Sequence, residues 1–344
     1  MRVLRVATLP LSRKVPLLRG LEQFTTAFVV LCRALITSRH DAVIIYSPPL
    51  TFAITGFVIR LIRRTPFVLN VQDLYPQTPI QLGLLRNRLL IRFSNWLERF
   101  AYKRANRIIV HSDDNLQHVV NVSKQPDKTA SISNWVDTDS ILPSNRDNSF
   151  RREHDAGARI VVSFAGVMGF AQGLDAVVDA ARILFARTDI RFLLIGDGVI
   201  KARLEQRVHE LGLSNVTMLP MQTSAVYGDI LAASDICLVS LTPELKTPVV
   251  PAKLQSIMAA GRPVIASVDA RTGVPEIIKQ ARCGVVTDPS DPKALATAIE
   301  KLADEPETRA AMGAGGRDFA LEHYSLDTAI DRYVAELEQI VGVR

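Results

Sequence analysis

Phe164-Ala165-Gly166-Val167-Met168-Gly169-Phe170-Ala171-Gln172-Gly173-Leu174-Asp175 carries the chain from an apolar run into a helical pattern. Behind it, 160–165 has the length and β-branched content of a buried strand. Ahead of it, Leu174, Val177, Val178, Ala181, Leu184 and Phe185 recur at helical spacing. A strand that turns on glycines into a helix presents free backbone N–H groups at the positive end of a helix dipole. Such a junction suits an anion, most often a phosphate. The turn has neither the Gly-Lys-Ser/Thr of a P-loop nor the spacing of a dinucleotide fingerprint. A second junction lies at Pro251-Ala252-Lys253, followed by Ala260-Gly261-Arg262-Pro263. Two junctions on one domain, one beside a lysine, suggest a diphosphate ligand, for which a nucleotide-sugar is a natural candidate.

Around these junctions, short apolar runs alternate with helical segments. In the second half, strands are expected at 160–165, 190–195, 216–219, 236–240, 263–267 and 284–287. Helices are expected at 174–187, 200–211, 224–233, 253–260 and 292–303. In the first half, runs at 41–46, 66–71 and 107–110 alternate with helical patterns at 50–63 and 84–107. This alternation makes a parallel α/β sheet. In a doubly wound sheet the ligand crevice lies beyond the carboxyl ends of the strands. The polar, unpatterned stretch 143–155 reads as a linker.

Apolar residues make up 48 % of the 344, enough for a sizeable core. Cys32, Cys237 and Cys283 form neither a CxxC pair nor an even framework, which fits a reducing compartment. The six histidines show no metal-ligand spacing, so no metal site is expected. The net charge of +6 conceals an asymmetry. Residues 1–110 hold 17 Lys/Arg against 4 Asp/Glu, whereas 111–344 hold 24 against 31. A basic half implies a polyanionic partner surface. Its cations alternate with apolar stretches and no aromatic stacking platform is legible, so anionic lipid is expected and nucleic acid is not.

Uninterrupted apolar runs of the length that spans a bilayer are absent. The nearest, 24–36 and 52–62, are broken by Arg33 and Arg60, and read either as core helices or as shallow interfacial segments. Within 84–107, Leu85, Leu89, Phe93, Trp96, Leu97 and Phe100 recur at helical spacing. Arg86, Arg88, Arg92, Arg99, Lys103, Arg104 and Arg107 fill the remainder. That is a basic amphipathic helix of the membrane-surface kind, or a surface helix packed on a sheet. No signal peptide is expected, because Pro10, Arg13 and Lys14 interrupt the leading apolar run. The expected location is cytoplasmic, peripheral on the inner face of the plasma membrane.

The glycine turn and seven further segments together resemble the family-4 retaining glycosyltransferases. The segments are Ser47-Pro48-Pro49-Leu50, Gln72-Asp73-Leu74-Tyr75-Pro76, Asn134-Trp135-Val136-Asp137, Leu194-Ile195-Gly196-Asp197-Gly198, Pro251-Ala252-Lys253-Leu254, Met258-Ala259-Ala260-Gly261-Arg262-Pro263-Val264-Ile265-Ala266 and Cys283-Gly284-Val285-Val286. The likeness is greatest to the branch that builds bacterial surface polysaccharides, including the colanic-acid and O-antigen N-acetylfucosamine transferases. It implies an α/β chain of GT-B fold, with two Rossmann-like doubly wound domains facing a cleft. The acceptor-side domain is expected at 1–142, a linker at 143–155, the donor domain at 156–320, and a helix crossing back at 321–344. The implied activity moves a sugar from a nucleotide-sugar, UDP-linked, to a lipid-linked or saccharide acceptor in O-antigen, capsule or exopolysaccharide synthesis. No cofactor or metal is implied.

Residue by residue, the resemblance places Gly166, Gly169, Gln172 and Gly173 at the donor diphosphate, with Lys253 neutralising the leaving group. Gly196, Asp197 and Gly198 wall the nucleotide, though a tight strand–helix turn is the plainer reading. Pro220, Met221 and Gln222 lie against the base. Asp73 meets acceptor or sugar, or else caps a helix. Three departures stand out. The segment 1–8 matches a later part of the family pattern, so the first βα unit is expected to be lacking. The Glu-x7-Glu positions fall on Pro248 and Ser256, with Glu244 nearby as a substitute. Gln172 stands where many relatives carry lysine. A catalytically inactive GT-B paralogue that binds a partner is the alternative from another class, and a UDP-sugar 2-epimerase-like isomerase is a weaker one.

Overall fold

The computed structural model describes residues 3–7, 16–154 and 160–342, and for 16–20 the backbone alone. Pro10, Arg13 and Lys14 lie outside the described residues, and 3–7 form no regular element. The chain divides into two compact units, Met1–Ser133 with Ile330–Arg344, and Asn134–Ala329.

Unit 1 holds a parallel sheet of four strands, β1 (Val43–Ser47), β2 (Phe67–Val71), β3 (Arg107–Val110) and β4 (Thr129–Ser131), in that order. β2 is buried at every position, as a parallel strand covered on both faces must be. One face packs Phe67, Leu69, Val71, Ile108 and Val110 against Leu97, Ala101 and Tyr102 of the helix Arg88–Arg104. That helix is shorter than the expected 84–107. Asn87 sets its start by accepting from the N–H groups of Leu89 and Leu90, at 2.9 and 3.2 Å. Ala105 turns extended and ends it. The helix Pro16–Ile36 packs on the helix Phe52–Arg63, where the Thr55 hydroxyl donates to the Ala27 carbonyl at 3.0 Å and Arg63 to the Thr37 carbonyl at 2.8 Å. Phe24, Phe28 and Ile36 stay exposed, so the first apolar run is not a wholly buried core helix.

The other sheet face is covered by the last helix, Leu326–Val341, through Tyr333, Leu337 and Ile340 against Val68, Ile109 and Ile132. Alternation along β2 puts Asn70 on this face, where its amide donates to the Tyr333 hydroxyl. His111 sits beside it, with Nε2 2.7 Å from Asn70 Oδ1 and Nδ1 2.8 Å from the Ile132 carbonyl.

Unit 2 holds a parallel sheet of six strands in the order β10-β9-β8-β5-β6-β7. The strands are β5 (Ile160–Ala165), β6 (Ile190–Ile195), β7 (Val216–Leu219), β8 (Ile236–Ser240), β9 (Val264–Ser267) and β10 (Gly284–Thr287). This is the doubly wound order, reversing between β5 and β8. Phe164, Phe192, Leu174, Val178, Ile236 and Ile299 form the centre of its core. The helix after β5 runs Leu174–Ile183, four residues shorter than its apolar pattern; Leu184 begins a turn, and beyond it Arg187 joins a cluster with Asp189, Glu300 and Asp304. The polar stretch read as a linker is, through residue 154, packed on unit 2. Phe150 is buried against Val161 and Ile230, and Arg151 and Arg146 pair with Asp235 at 2.8 and 2.6 Å.

Burial pulls the His111 ring from 6.5 down to about 4, so it is neutral at pH 7. Between those values the unfolded chain binds the extra proton, and stability is lost as pH falls below 6.5. Hydrogen exchange of β2 and β3 amides, corrected for intrinsic rates, is expected to show about 2 kcal/mol less protection at pH 5 than at pH 7. His111→Gln should remove that pH dependence whatever its own cost.

Candidate active site

The glycine turn leaves β5 and the loop from Leu241 to Pro251 leaves β8, so both start at the strand pair where the sheet order reverses. Connections that diverge to opposite faces open a crevice there. Loop and turn are tied together. The Thr242 N–H donates to the Ala171 carbonyl at 2.9 Å, and the Ser240 hydroxyl to the Gly173 carbonyl at 3.4 Å. Gly173 has φ +56° and a Cβ on it would stand 2.7 Å from the Leu241 carbonyl oxygen. Neither helix that starts here has a side-chain cap. Gly173 precedes Leu174–Ile183 and Pro251 precedes Ala252–Ala259. The Ala176 and Leu254 N–H groups turn back to the Gly173 and Pro251 carbonyls, at 3.2 and 2.9 Å, and the N–H groups ahead of them in each first turn suit an anion.

Lys253 reaches from the first turn of Ala252–Ala259 back over the glycine turn. Its Nζ lies 3.5 Å from the centre of the Phe164 ring and donates to Gln172 Oε1 at 3.2 Å. At Gly166, a Cβ would stand 3.3 Å from that ammonium. The half-buried lysine is thus not a solvated helix-end residue. Burial lowers the ammonium from 10.5 to about 7.

Gly196 and Gly198 shape the first turn as well as their own. The Met168 N–H donates to the Asp197 carbonyl at 2.8 Å and the Gly166 N–H to the Ile195 carbonyl at 2.9 Å. A Cβ at Gly196 would lie 1.9 Å from the Gly166 oxygen, and one at Gly198 2.4 Å from the Met168 oxygen. Gly169 is different, since a Cβ there would meet only Val167, at 4.0 Å. Asp175, the last residue of the motif, braces the helix Lys201–Glu210, accepting from Arg203 and Arg207 at 2.6 Å each. The arginines hold its carboxyl below the ordinary value. After β7, Met221 is exposed and the Gln222 amide turns back to the Pro220 carbonyl at 3.1 Å.

Glu244 lies on the loop that bonds the glycine turn, exposed, with its carboxyl held down by a hydrogen bond from the Thr242 hydroxyl. Asp73 belongs to unit 1, two residues past β2. It caps no helix, because the short helix Gln77–Gln81 takes Pro76 as its N-cap. Nearby protein partly desolvates the exposed Asp73 carboxyl and raises it above its ordinary value. Sequence reasoning missed Phe164 as the platform under Lys253; its position two residues before Gly166, near the end of β5, was the available signal. A cavity of about 500 Å³ in unit 1 is lined by Val30, Ala34, Ile45, Phe52 and Ile59 among others. Among the described residues no group of three or more His, Cys, Asp or Glu is placed to hold a metal ion.

Both units match glycosyltransferase family models. Residues 1–135 match the "Glycosyl transferase 4-like domain" and residues 159–305 match "Glycosyl transferases group 1". A probable glycosyltransferase, WbjE of Pseudomonas aeruginosa, is 26% identical over 330 residues, covering 95% of this chain and 82% of the relative. The O-antigen chain mannosyltransferase C of Escherichia coli is 25% identical over 250 residues, covering 72% and 64%. Among solved structures, Anabaena Alr3699/HepE in complex with UDP superposes with a TM-score of 0.75 at 19% identity, covering 93% of this chain and 84% of that one. That likeness is one of fold, and the fold is GT-B, with two Rossmann-like parallel α/β units.

Gly196→Ala is expected to push the two turns apart and cost about 1–3 kcal/mol. Gly169→Ala, facing open space, should stay within about 0.5 kcal/mol of wild type. Urea unfolding of the two variants checks the contrast.

Proposed function

The chain is a glycosyltransferase of GT-B fold, and from that premise we propose that it transfers a sugar, with retention of configuration, from a UDP-sugar to a saccharide or lipid-linked acceptor during synthesis of a bacterial surface polysaccharide. The observation that carries the donor reading is a lysine with no carboxylate partner among the described residues, poised over a glycine turn between two uncapped helix N-termini. Such a set lacks only an anion. The UDP bound by the HepE relative and the O-antigen chemistry named for the Escherichia coli relative favour the nucleotide and the pathway class. The sugar is a hexosyl or N-acetylhexosaminyl group, the latter in keeping with the motif likeness to the N-acetylfucosamine transferases.

In this reading the Gly166 turn and both helix ends bind the diphosphate, and Lys253 meets the negative charge that grows as the bond from the anomeric carbon to phosphate breaks. The acceptor oxygen bonds the anomeric carbon on the same face, and its proton passes to the departing phosphate oxygen. Positioning and leaving-group stabilisation supply most of the rate. Gln172 holds the Lys253 ammonium without neutralising it, as a second lysine or a carboxylate in its place would not. Pro220, Met221 and Gln222 contact the base, Glu244 the donor, and Asp73 the acceptor.

Lys253→Ala should abolish the rise in melting temperature that UDP gives wild type. It should also lower the transfer rate by about 10²–10³. An undiminished UDP shift in this variant would sink the assignment. Asp73→Asn should slow transfer while leaving the UDP shift intact. A diphosphate against Lys253 raises its pKa above the free value of about 7, so binding takes up a proton. UDP affinity should therefore fall as pH rises above 7, by at most about tenfold per pH unit. Calorimetric titration across pH reads this slope, which Lys253→Ala should flatten.

A further inference from the structure

We propose that unit 1 docks on the interfacial layer of an anionic lipid bilayer through the joined outer faces of the helices Pro16–Ile36 and Arg88–Arg104. On the second helix, Leu89, Phe93, Trp96 and Phe100 follow one another at steps of four, three and four residues. Such steps place them in one row. Arg88, Arg92, Arg99 and Lys103 form a second row beside it, at steps of four, seven and four. Leu89, Phe93 and Trp96 are 74%, 45% and 53% exposed. On the first helix, Leu21, Phe24 and Phe28 make a matching exposed row.

The two rows meet. The Phe24 and Phe93 rings are 6.2 Å apart, and Phe93, Trp96 and Phe100 stack in succession at 5.8 and 5.7 Å. The aromatic platform is therefore a row of three rings on one helix, extended by Phe24 from the other. No ion pair engages Arg88, Arg92, Arg99 or Lys103 among the described residues. The acids of these helices face elsewhere. Glu98 is buried and bonds His118 and Gln77, and Glu22 is half-buried.

An apolar aromatic row beside a row of unopposed cations complements one surface in two respects, acyl chains for the rings and lipid phosphates for the arginines. Aromatic side chains with polar edges favour the headgroup level. No helix among the described residues is long and apolar enough to cross a membrane, so the contact is peripheral. The rings stack on one another, which leaves little open π surface for nucleic-acid bases. This inference does not depend on the identity of the donor.

The test uses the full chain carrying Trp135→Phe, which leaves Trp96 as its tryptophan. It is mixed with phosphatidylcholine vesicles made with or without phosphatidylglycerol. Trp96 emission should shift to the blue, and the chain should float, with the phosphatidylglycerol vesicles alone. Phe24→Ser with Phe93→Ser should weaken partitioning at least about tenfold. Replacing Arg88, Arg92, Arg99 and Lys103 by Gln should weaken it about a hundredfold or more and erase the preference for anionic lipid. These side chains are exposed, and an unchanged melting temperature in both variants verifies the fold. An unshifted Trp96, or flotation indifferent to both sets of substitutions, overturns the proposal. So does self-association in solution that Phe93→Ser abolishes, or tighter binding to a single-stranded oligonucleotide than to the vesicles.

Discussion

Backbone lying directly on backbone, with no side chain between, sets the geometry of unit 2. The turns after β5 and β6 approach so closely that a single added carbon at Gly196 has no room beside the Gly166 oxygen. The contact lets the Met168 N–H reach the Asp197 carbonyl and sends the Met168 side chain into the core. It also holds Gly166 beneath the Lys253 ammonium. The turn that faces the crevice thus inherits its shape from the sheet behind it. The helices leaving the two turns are clamped by Asp175 with Arg203 and Arg207, and again by Asp179 with Arg207. These pairs are partly solvated, so their worth lies in fixing orientation more than in stability.

Lys253 shows how such a frame prepares a cation. A half-buried ammonium with an aromatic ring and one amide for company is under-compensated. Its nearest neighbours, Phe164 and Gln172, orient it without cancelling its charge. Replacing Gln172 with a carboxylate would fill the site internally. Burial depresses the ammonium, and the Gln172 amide, where many relatives carry lysine, adds no charge against it.

Much of this was legible because parallel strands covered on both faces read as short apolar runs. β3, β5, β6, β7, β8 and β10 occupy the residues their apolar runs mark. Elements whose stability comes from elsewhere were not legible. β4 has three residues and no apolar run, and the helix Asp113–Ser123 is started by a Ser112 cap more than by an apolar stripe. The helix Pro306–His323 contains Gly313, Gly315 and Gly316, poor helix formers that serve close packing. A Cβ on Gly313 would stand 2.2 Å from the Gly261 oxygen. At the site, the glycines and Lys253 announced themselves by spacing, whereas the Phe164 platform and the Asp175 clamp are tertiary facts. Phe150 was hidden for a related reason, as one aromatic in a polar stretch gives no period to read.

The helix Leu326–Val341 makes the order of the chain differ from the order of its domains. Tyr333, Leu337 and Ile340 cover a face of the unit 1 sheet whose strands were all laid down before residue 132. During synthesis, that face, with Val68 and Ile109 on it, stays uncovered while the whole of unit 2 is made. Unit 2 has its complete sheet in one unbroken stretch and can close first, although it is translated second. The nascent first unit meanwhile carries an open apolar face, the kind of surface that chaperones hold until the missing helix arrives.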